Sequence, residues 1–308
     1  MKIKNILFRA DSSSIIGTGH IMRDLVLASQ YKDANIIFAV QDLDGNINER
    51  IKESGYKVEL LKSNALNEVT ELVNKYNINM VVIDHYGIDY EYEKKLKKRT
   101  GVKILSLDDT YEKHYCDILL NHNISADKKR YKGLVPKNCE LRCGAKYTLL
   151  RDEFIKEKKK NKQEANRKDK TIFLAMGGAD HSNINIEILK VLQKIDNLKI
   201  NLVTTTANKN IKELKKYVKN KKWITLHINS NKIGKLMRKS DFAIVTPSVT
   251  LNEIYFMQVT FIAIKTASNQ EDIYEFIKKE KYVALSRFNK NRLKSSVSKM
   301  IKKLDKDE

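Results

Sequence analysis

The sequence is poor in proline, cysteine and tryptophan, with 2, 3 and 1 respectively in 308 residues. So few prolines exclude a proline-rich linker or polyproline architecture and leave helices and strands with few forced breaks. Cys116, Cys139 and Cys143 form no even set, which excludes a disulfide framework and leads us to expect reduced thiols in a cytoplasmic protein. No apolar run approaches the roughly 18 residues that span a bilayer, and the first apolar block, 6–8, soon meets Arg9 and Asp11. Secretion and membrane insertion are therefore not expected. Disorder is excluded as well, because the 42% of apolar residues recur in short blocks from end to end.

Basic residues are plentiful: 59 Lys+Arg against 38 Asp+Glu leave a net charge of +21. Residues 1–150 carry 24 basic and 20 acidic side chains and residues 151–308 carry 35 and 18, so the halves stand at +4 and +17. Charge of this size suits a nucleic acid, an anionic surface or a phosphorylated small molecule. The lysines are scattered rather than interleaved with aromatics, and no nucleic-acid module is recognisable, so a nucleic-acid partner is not expected. The run RDEFIKEKKKNKQEANRKDK over 151–170 holds three apolar residues without a period and reads as an exposed charged helix or linker. It divides an N-terminal domain, 1–150, from a C-terminal domain, 171–308.

Strand-length apolar blocks at 6–8, 36–40, 58–61, 80–83, 102–107 and 118–120 alternate with amphipathic stretches such as 22–31 and 67–76. The second half repeats this style at 172–176, 200–203, 224–228, 242–245, 261–264 and 283–285. Such alternation predicts two α/β units with parallel sheets, whose ligands sit at the carboxyl ends of the strands.

The first strand runs into Asp11-Ser12-Ser13-Ser14-Ile15-Ile16-Gly17-Thr18-Gly19-His20 and then a helix. Glycines allow a tight turn and close approach of a ligand, and a helix start offers free amides. Gly17 and Gly19 lack the third glycine of the dinucleotide fingerprint, and a purely structural turn explains them equally well. His20 lies near the positive end of the helix, which favours neutral imidazole and suits a general base; a packed turn histidine is the alternative. In the second half, Gly177-Gly178 ends a strand as a plausible diphosphate cradle. Ser248 and Thr250, in Thr246-Pro247-Ser248-Val249-Thr250, offer hydroxyls at a strand end, and Glu253 offers a carboxylate one turn inside the following helix. Ordinary helix caps and a solvated glutamate remain open there. Asp84-His85-Tyr86-Gly87 gathers an acid, an imidazole and a phenol at one strand end. The acids Asp108-Asp109 suit a cap better than a metal. His114, Cys116, His122, Cys139 and Cys143 match no zinc spacing, with His114 and Cys116 alternating on what reads as a strand.

The strings FRADSSSIIGTGHIMRDLVLA, VVIDHYGI, CDILLN, LVPKNCELRCGAKYTLLRDEF, MGGAD, LNE and SNQE, in this order, resemble the PseG family, the UDP-2,4-diacetamido-2,4,6-trideoxy-β-L-altropyranose hydrolases of pseudaminic acid biosynthesis. The resemblance implies a GT-B-like α/β fold akin to MurG, with two Rossmann-like domains whose parallel sheets flank a cleft. It implies that His20 is the catalytic base, that Tyr86 and Asn269 attend the sugar or the attacking water, and that Gly177, Gly178 and 248–253 receive UDP, with Glu253 on the ribose. Pro247 departs from the small-residue loop expected there. The implied reaction is inverting hydrolysis by a monomer without cofactor or metal; an inverting UDP-sugar glycosyltransferase is the alternative.

Overall fold

The computed structural model describes residues 4–160, 169–178, 180 and 182–307. The chain divides into two compact units at Leu150/Arg151. In unit 1 the elements follow as β1 (Asn5–Ala10), α1 (Gly19–Ser29), β2 (Asn35–Gln41), α2 (Asn48–Glu53), β3 (Lys57–Leu61), α3 (Leu66–Lys75), β4 (Met80–Asp84), α4 (Tyr90–Thr100), β5 (Lys103–Leu107), β6 (Ile118–Asn121) and β7 (Glu140–Cys143). Unit 2 follows as α5 (Asp152–Lys158), β8 (Lys170–Ala175), α6 (Asn185–Leu192), β9 (Leu198–Thr204), α7 (Ile211–Val218), β10 (Ile224–Ile228), α8 (Ile233–Arg238), β11 (Phe242–Val245), α9 (Val249–Met257), β12 (Thr260–Ile264), α10 (Glu271–Lys279), β13 (Val283–Leu285) and α11 (Lys290–Asp307). Among the described residues no helix is long and apolar enough to cross a membrane.

Both sheets are parallel, in the orders β3-β2-β1-β4-β5-β6-β7 and β10-β9-β8-β11-β12-β13. The central strands are apolar on both faces because helices cover both. In unit 1, Ile6, Phe8 and Val82 pack under Ile21 and Leu27 of α1, while Leu7, Val81 and Ile83 pack under Val69, Leu72 and Leu96 of α3 and α4. This double burial, rather than alternation, is what the short continuous apolar blocks of the sequence reported. In each sheet the strand order reverses once, between β1 and β4 and between β8 and β11. The loops at these reversals, 11–18 with 85–89 and 176–178 with 246–248, occupy the usual ligand position of an open α/β sheet.

The structure differs from the sequence reading in three places. Residues 151–160 are no free linker: α5 buries Phe154 completely, and Glu157 accepts from Arg238 of α8 at 2.8 Å. Residues 161–168 of that stretch lie outside the described residues. The segment holding His114 and Cys116 is irregular rather than a strand, because Glu93 and Leu134, not a neighbouring strand, take its polar groups. The sheet also gains β7, an edge strand whose Glu140 and Arg142 hid it from a search for apolar blocks.

Candidate active site

At the carboxyl end of the first sheet, Gly17 adopts φ +84°, closing a small hairpin in which its N–H donates to Ser13 O at 2.8 Å. Gly17 thus has a backbone reason to be glycine. Gly19 has none: it opens α1, and a Cβ there would meet no atom within 4 Å. Space for an approaching ligand is what remains to explain it.

His20 follows on the first turn of α1, 8% exposed, edge-on to Tyr86 with ring centroids 4.9 Å apart. Its Nδ1 is sealed from solvent without a protein partner. Burial holds the imidazole below its ordinary pKa; Asp84 opposes this and Arg23 reinforces it. The neutral base inferred from the helix end is therefore produced chiefly by burial.

Arg23, one turn further on, joins three loops. It donates to Asp84 through Nε and Nη2 at 2.6 and 2.5 Å and to Asp109 through Nη1 at 2.9 Å. Tyr86 donates its hydroxyl to the other oxygen of Asp109 at 2.9 Å, and partial burial together with that carboxylate pushes the phenol up to about 12. It is a neutral donor. Asp109 is thus an anchor for Arg23 and Tyr86, while Asp108 caps its own turn, accepting from Thr110 N, Tyr111 N and Tyr131 Oη at 3.0, 2.8 and 2.6 Å.

Behind Tyr86, His85 is fixed in one tautomer. Its Nδ1 accepts from Gly87 N at 2.9 Å, so Nε2 carries the proton facing Asp11 Oδ2 at 3.2 Å. Asp11 in turn holds the fully buried Arg9 through two bonds, at 2.7 and 2.8 Å. A Cβ on Gly87 would lie 2.8 Å from the His85 ring, so only glycine permits this turn.

Sequence reasoning missed Asp24 and assigned nothing to His122. Both are buried near the Arg23–Asp84 pair with unpartnered side-chain atoms: both oxygens of Asp24 and both ring nitrogens of His122. Burial and then Asp84 raise the Asp24 pKa well above the usual carboxylate range, and burial followed by Arg23 lowers His122 to about 4. His122 is therefore neutral at pH 7, and burial disfavours the charged form of Asp24. The spacing His20–Asp24, four residues on one helix, was the available signal. His114 instead bonds Glu93 at 2.8 Å, and the Cys116 and Cys139 sulfurs stand 3.6 Å apart as free thiols.

In unit 2 a cavity of about 280 Å³ opens at the reversal between β8 and β11. It is lined by Gly177, Gly178, Thr250 and Glu253, and also by Arg151, Thr204, Thr205, Asn229 and Ser230, which the sequence reading overlooked. Their shared signal was position: 204 ends β9 and 229 follows β10. Gly177 has φ +83°, and a Cβ on Gly178 would come within 2.9 Å of Thr205 Cγ2. Ser248 stands at the N-cap of α9, yet its hydroxyl accepts from Thr246 at 3.1 Å and makes no cap, leaving helix-start amides open to an anion. Glu253 is no solvated surface residue: its side chain is 16% exposed and meets Arg151 at 3.3 Å, and burial raises its pKa to about 7. Asn269 lies apart from this cavity, exposed in a short 3-10 turn after β12, where Gln270 accepts from Thr266 N at 2.8 Å. The structure therefore brings His20 together with Tyr86, and Gly177 and Gly178 with Thr250 and Glu253; Asn269 joins neither set within its own unit.

Two parallel-sheet α/β domains with strand-end sites at their reversals define a protein of the GT-B class. In fold the chain is similar to the crystal structure of MurG from Acinetobacter baumannii, 10% identical with TM-score 0.68 over 98% of this chain and 92% of that one. It is also similar to the spinosyn rhamnosyltransferase SpnG, 7% identical with TM-score 0.66 over 97% and 92%. No family model matches the sequence. Over 277 residues, 90% of this chain and 97% of the other, it is 42% identical to the UDP-2,4-diacetamido-2,4,6-trideoxy-β-L-altropyranose hydrolase of Campylobacter jejuni. The chain belongs to that hydrolase family.

Proposed function

We propose that this enzyme hydrolyses UDP-2,4-diacetamido-2,4,6-trideoxy-β-L-altropyranose to UDP and the free 2,4-diacetamido-2,4,6-trideoxy-L-altrose. The observation that carries the reading is a buried, neutral imidazole at the sheet reversal of a chain 42% identical to that hydrolase. Nδ1 is sealed from solvent, and the proposed base is the tautomer that carries its proton there and keeps the lone pair on Nε2. His20 Nε2 takes a proton from water as the water oxygen bonds to the anomeric carbon; the bond from that carbon to the phosphate oxygen breaks, and its electron pair leaves with UDP. Attack opposite the leaving group inverts the anomeric centre. Tyr86, a neutral donor held by Asp109, orients the sugar or water, as does Asn269.

Unit 2 supports UDP departure without a metal. Gly177, Gly178 and the open amides of α9 suit the diphosphate, Thr250 adds a hydroxyl, and the Glu253 carboxylate accepts the ribose hydroxyls. Gly17 and Gly19 give the sugar side open backbone. We place the enzyme in the cytoplasm as a monomer without a nucleic-acid or membrane partner, since nucleotide sugars are cytoplasmic metabolites. The test is incubation with the UDP-sugar in the absence of any acceptor, followed by NMR. Stoichiometric free sugar with inverted configuration is expected; release only on adding an acceptor alcohol would identify an inverting glycosyltransferase.

A further inference from the structure

We infer that the loop hairpin 13–17 presents Ile15 and Ile16 as the apolar specificity element of the sugar site, contacting an acetamido methyl group of the substrate; this rests on the hydrolase reading above. Ile15 is 95% exposed and Ile16 42%, in a unit whose other apolar side chains are largely buried. Among the described residues of unit 1, the exposed large hydrophobics are Ile15, Ile16, Tyr86 and Leu60. Leu60 lies on the edge strand β3. The other three stand on the two loops that flank the sheet reversal, two of them within five residues of the catalytic His20. Exposed apolar groups gathered at a strand-end site mark a ligand surface.

The hairpin is fastened rather than frayed. Ser13 and Gly17 exchange backbone hydrogen bonds at 2.8 and 3.2 Å, and Ser13 Oγ accepts from the amides of Ile15 and Ile16 at 3.2 and 2.9 Å. Ser14 N donates to Asp44 O at 2.9 Å, against a turn in which Gly45 packs so closely that a Cβ would lie 2.9 Å from Ser14 N. Every backbone restraint thus holds two isoleucines in water beside the base. A 2,4-diacetamido-2,4,6-trideoxy sugar replaces three hydroxyls of a hexose by two acetamido groups and a C6 methyl, so it offers three methyl groups where a common hexose offers none. Matching an acetamido methyl gives the exposed isoleucines their use, and a means of refusing ordinary UDP-hexoses.

A binding cycle tests this. Calorimetry in a His20→Asn background measures the intact UDP-sugar and two analogues, each with one acetamido group replaced by formamido, against Ile15→Ala and Ile16→Ala. Removing one buried methyl contact changes affinity about 4-fold. At least one alanine variant is expected to weaken the natural UDP-sugar by about 4- to 10-fold, to lose most of that effect on one formamido analogue, and to leave UDP affinity unchanged. Equal effects on all three UDP-sugars, an equal loss for UDP itself, or a dimer in sedimentation that Ile15→Ala dissolves would overturn the inference. Wild-type enzyme that releases no sugar would sink the hydrolase reading separately, since the binding cycle needs no turnover.

Discussion

Replacing Arg23 by methionine isolates the part of the His20 basicity that neighbouring charge, rather than burial, sets. Arg23 neutralises Asp84, whose side chain is 2% exposed, and Asp109, at 21%, and is itself 13% exposed. Stranding the buried Asp84 carboxylate costs about 3–5 kcal/mol of stability. For a domain of this size that is about 6–20 °C in the unfolding midpoint, at roughly 2–4 °C per kcal/mol. The catalytic consequence is separate. Helix geometry sets Cβ atoms three residues apart at about 5–6 Å, and at an effective dielectric of about 20 one unit charge about 6 Å away is worth about 2.8 kcal/mol, or about 2 pKa units. Arg23 lowers the His20 pKa and Asp84 raises it, so removing the cation leaves the carboxylates to favour imidazolium. The acid limb of kcat/KM, in the wild type below the usual histidine value of about 6.5, should rise by about 1–2 units in Arg23→Met. Arg23→Lys keeps the charge but not the paired geometry: it should lose stability while the limb stays within about half a unit. Stopped-time UDP release from pH 5 to 9 reads both. A limb that stays in place in Arg23→Met, or moves down, would refute the electrostatic account of the base.

His20→Asn should lower kcat by about 10²–10⁴ while UDP binding survives, as read by turnover and calorimetry. Glu253→Gln at pH 8 should weaken UDP at least about 10-fold by removing a charged acceptor, yet raise the thermal midpoint, because the wild-type carboxylate with its pKa near 7 is ionised there at the expense of burial. In the wild type, UDP affinity should fall as pH drops from 8 to 6 and this carboxylate protonates; a flat profile would misplace the ribose contact. Asp24→Asn should keep turnover, since burial beside Asp84 disfavours the Asp24 carboxylate and neither of its oxygens accepts a hydrogen bond from the protein. Its raised pKa means the folded state holds a proton that the unfolded state releases above about pH 4, so wild-type stability falls with rising pH by this term. The asparagine variant should lack that part of the slope in melts from pH 5 to 8.

The fold was legible because parallel strands buried on both faces leave unbroken apolar blocks, and every such block formed a strand. What escaped detection had a different chemistry. β7 is an edge strand carrying Glu140 and Arg142, and α5 carries one inward apolar side chain, Phe154, in a run of lysines. The candidate site was legible where composition is unusual, as in Gly17-Thr18-Gly19-His20 and Asp84-His85-Tyr86-Gly87, two segments that the fold brings together at the sheet reversal. It was illegible where contacts are made by common residues at strand ends: Thr204, Asn229 and Ser230 carry no local signal, and Arg151 is one basic residue among many. Arg23 and Asp24 looked like ordinary helix charges, because their meaning lies in Asp84 at the end of β4 and Asp109 after β5, several crossovers further along the chain.

The excess charge of the second half illustrates the same distinction. Among the described basic residues of this half, only Arg151 lines the strand-end cavity, and two carboxylates, Glu153 and Glu253, meet it at 2.7 and 3.3 Å. Four lysines, Lys190, Lys194, Lys290 and Lys294, instead line a separate depression of about 500 Å³ between α6 and α11. On the UDP-site reading proposed above, the nucleotide's charge is met locally by amides and hydroxyls, and these lysines act on it through the long-range field. Such a field is screened within about 8 Å at physiological ionic strength and governs encounter rather than the bound state. Raising salt from about 20 mM to 500 mM should accordingly lower kcat/KM several-fold while kcat holds, because screening weakens steering and leaves contacts at van der Waals range intact. An equal fall in kcat would mean that lysines reach the leaving group directly, and the cavity's own donors would then be too few.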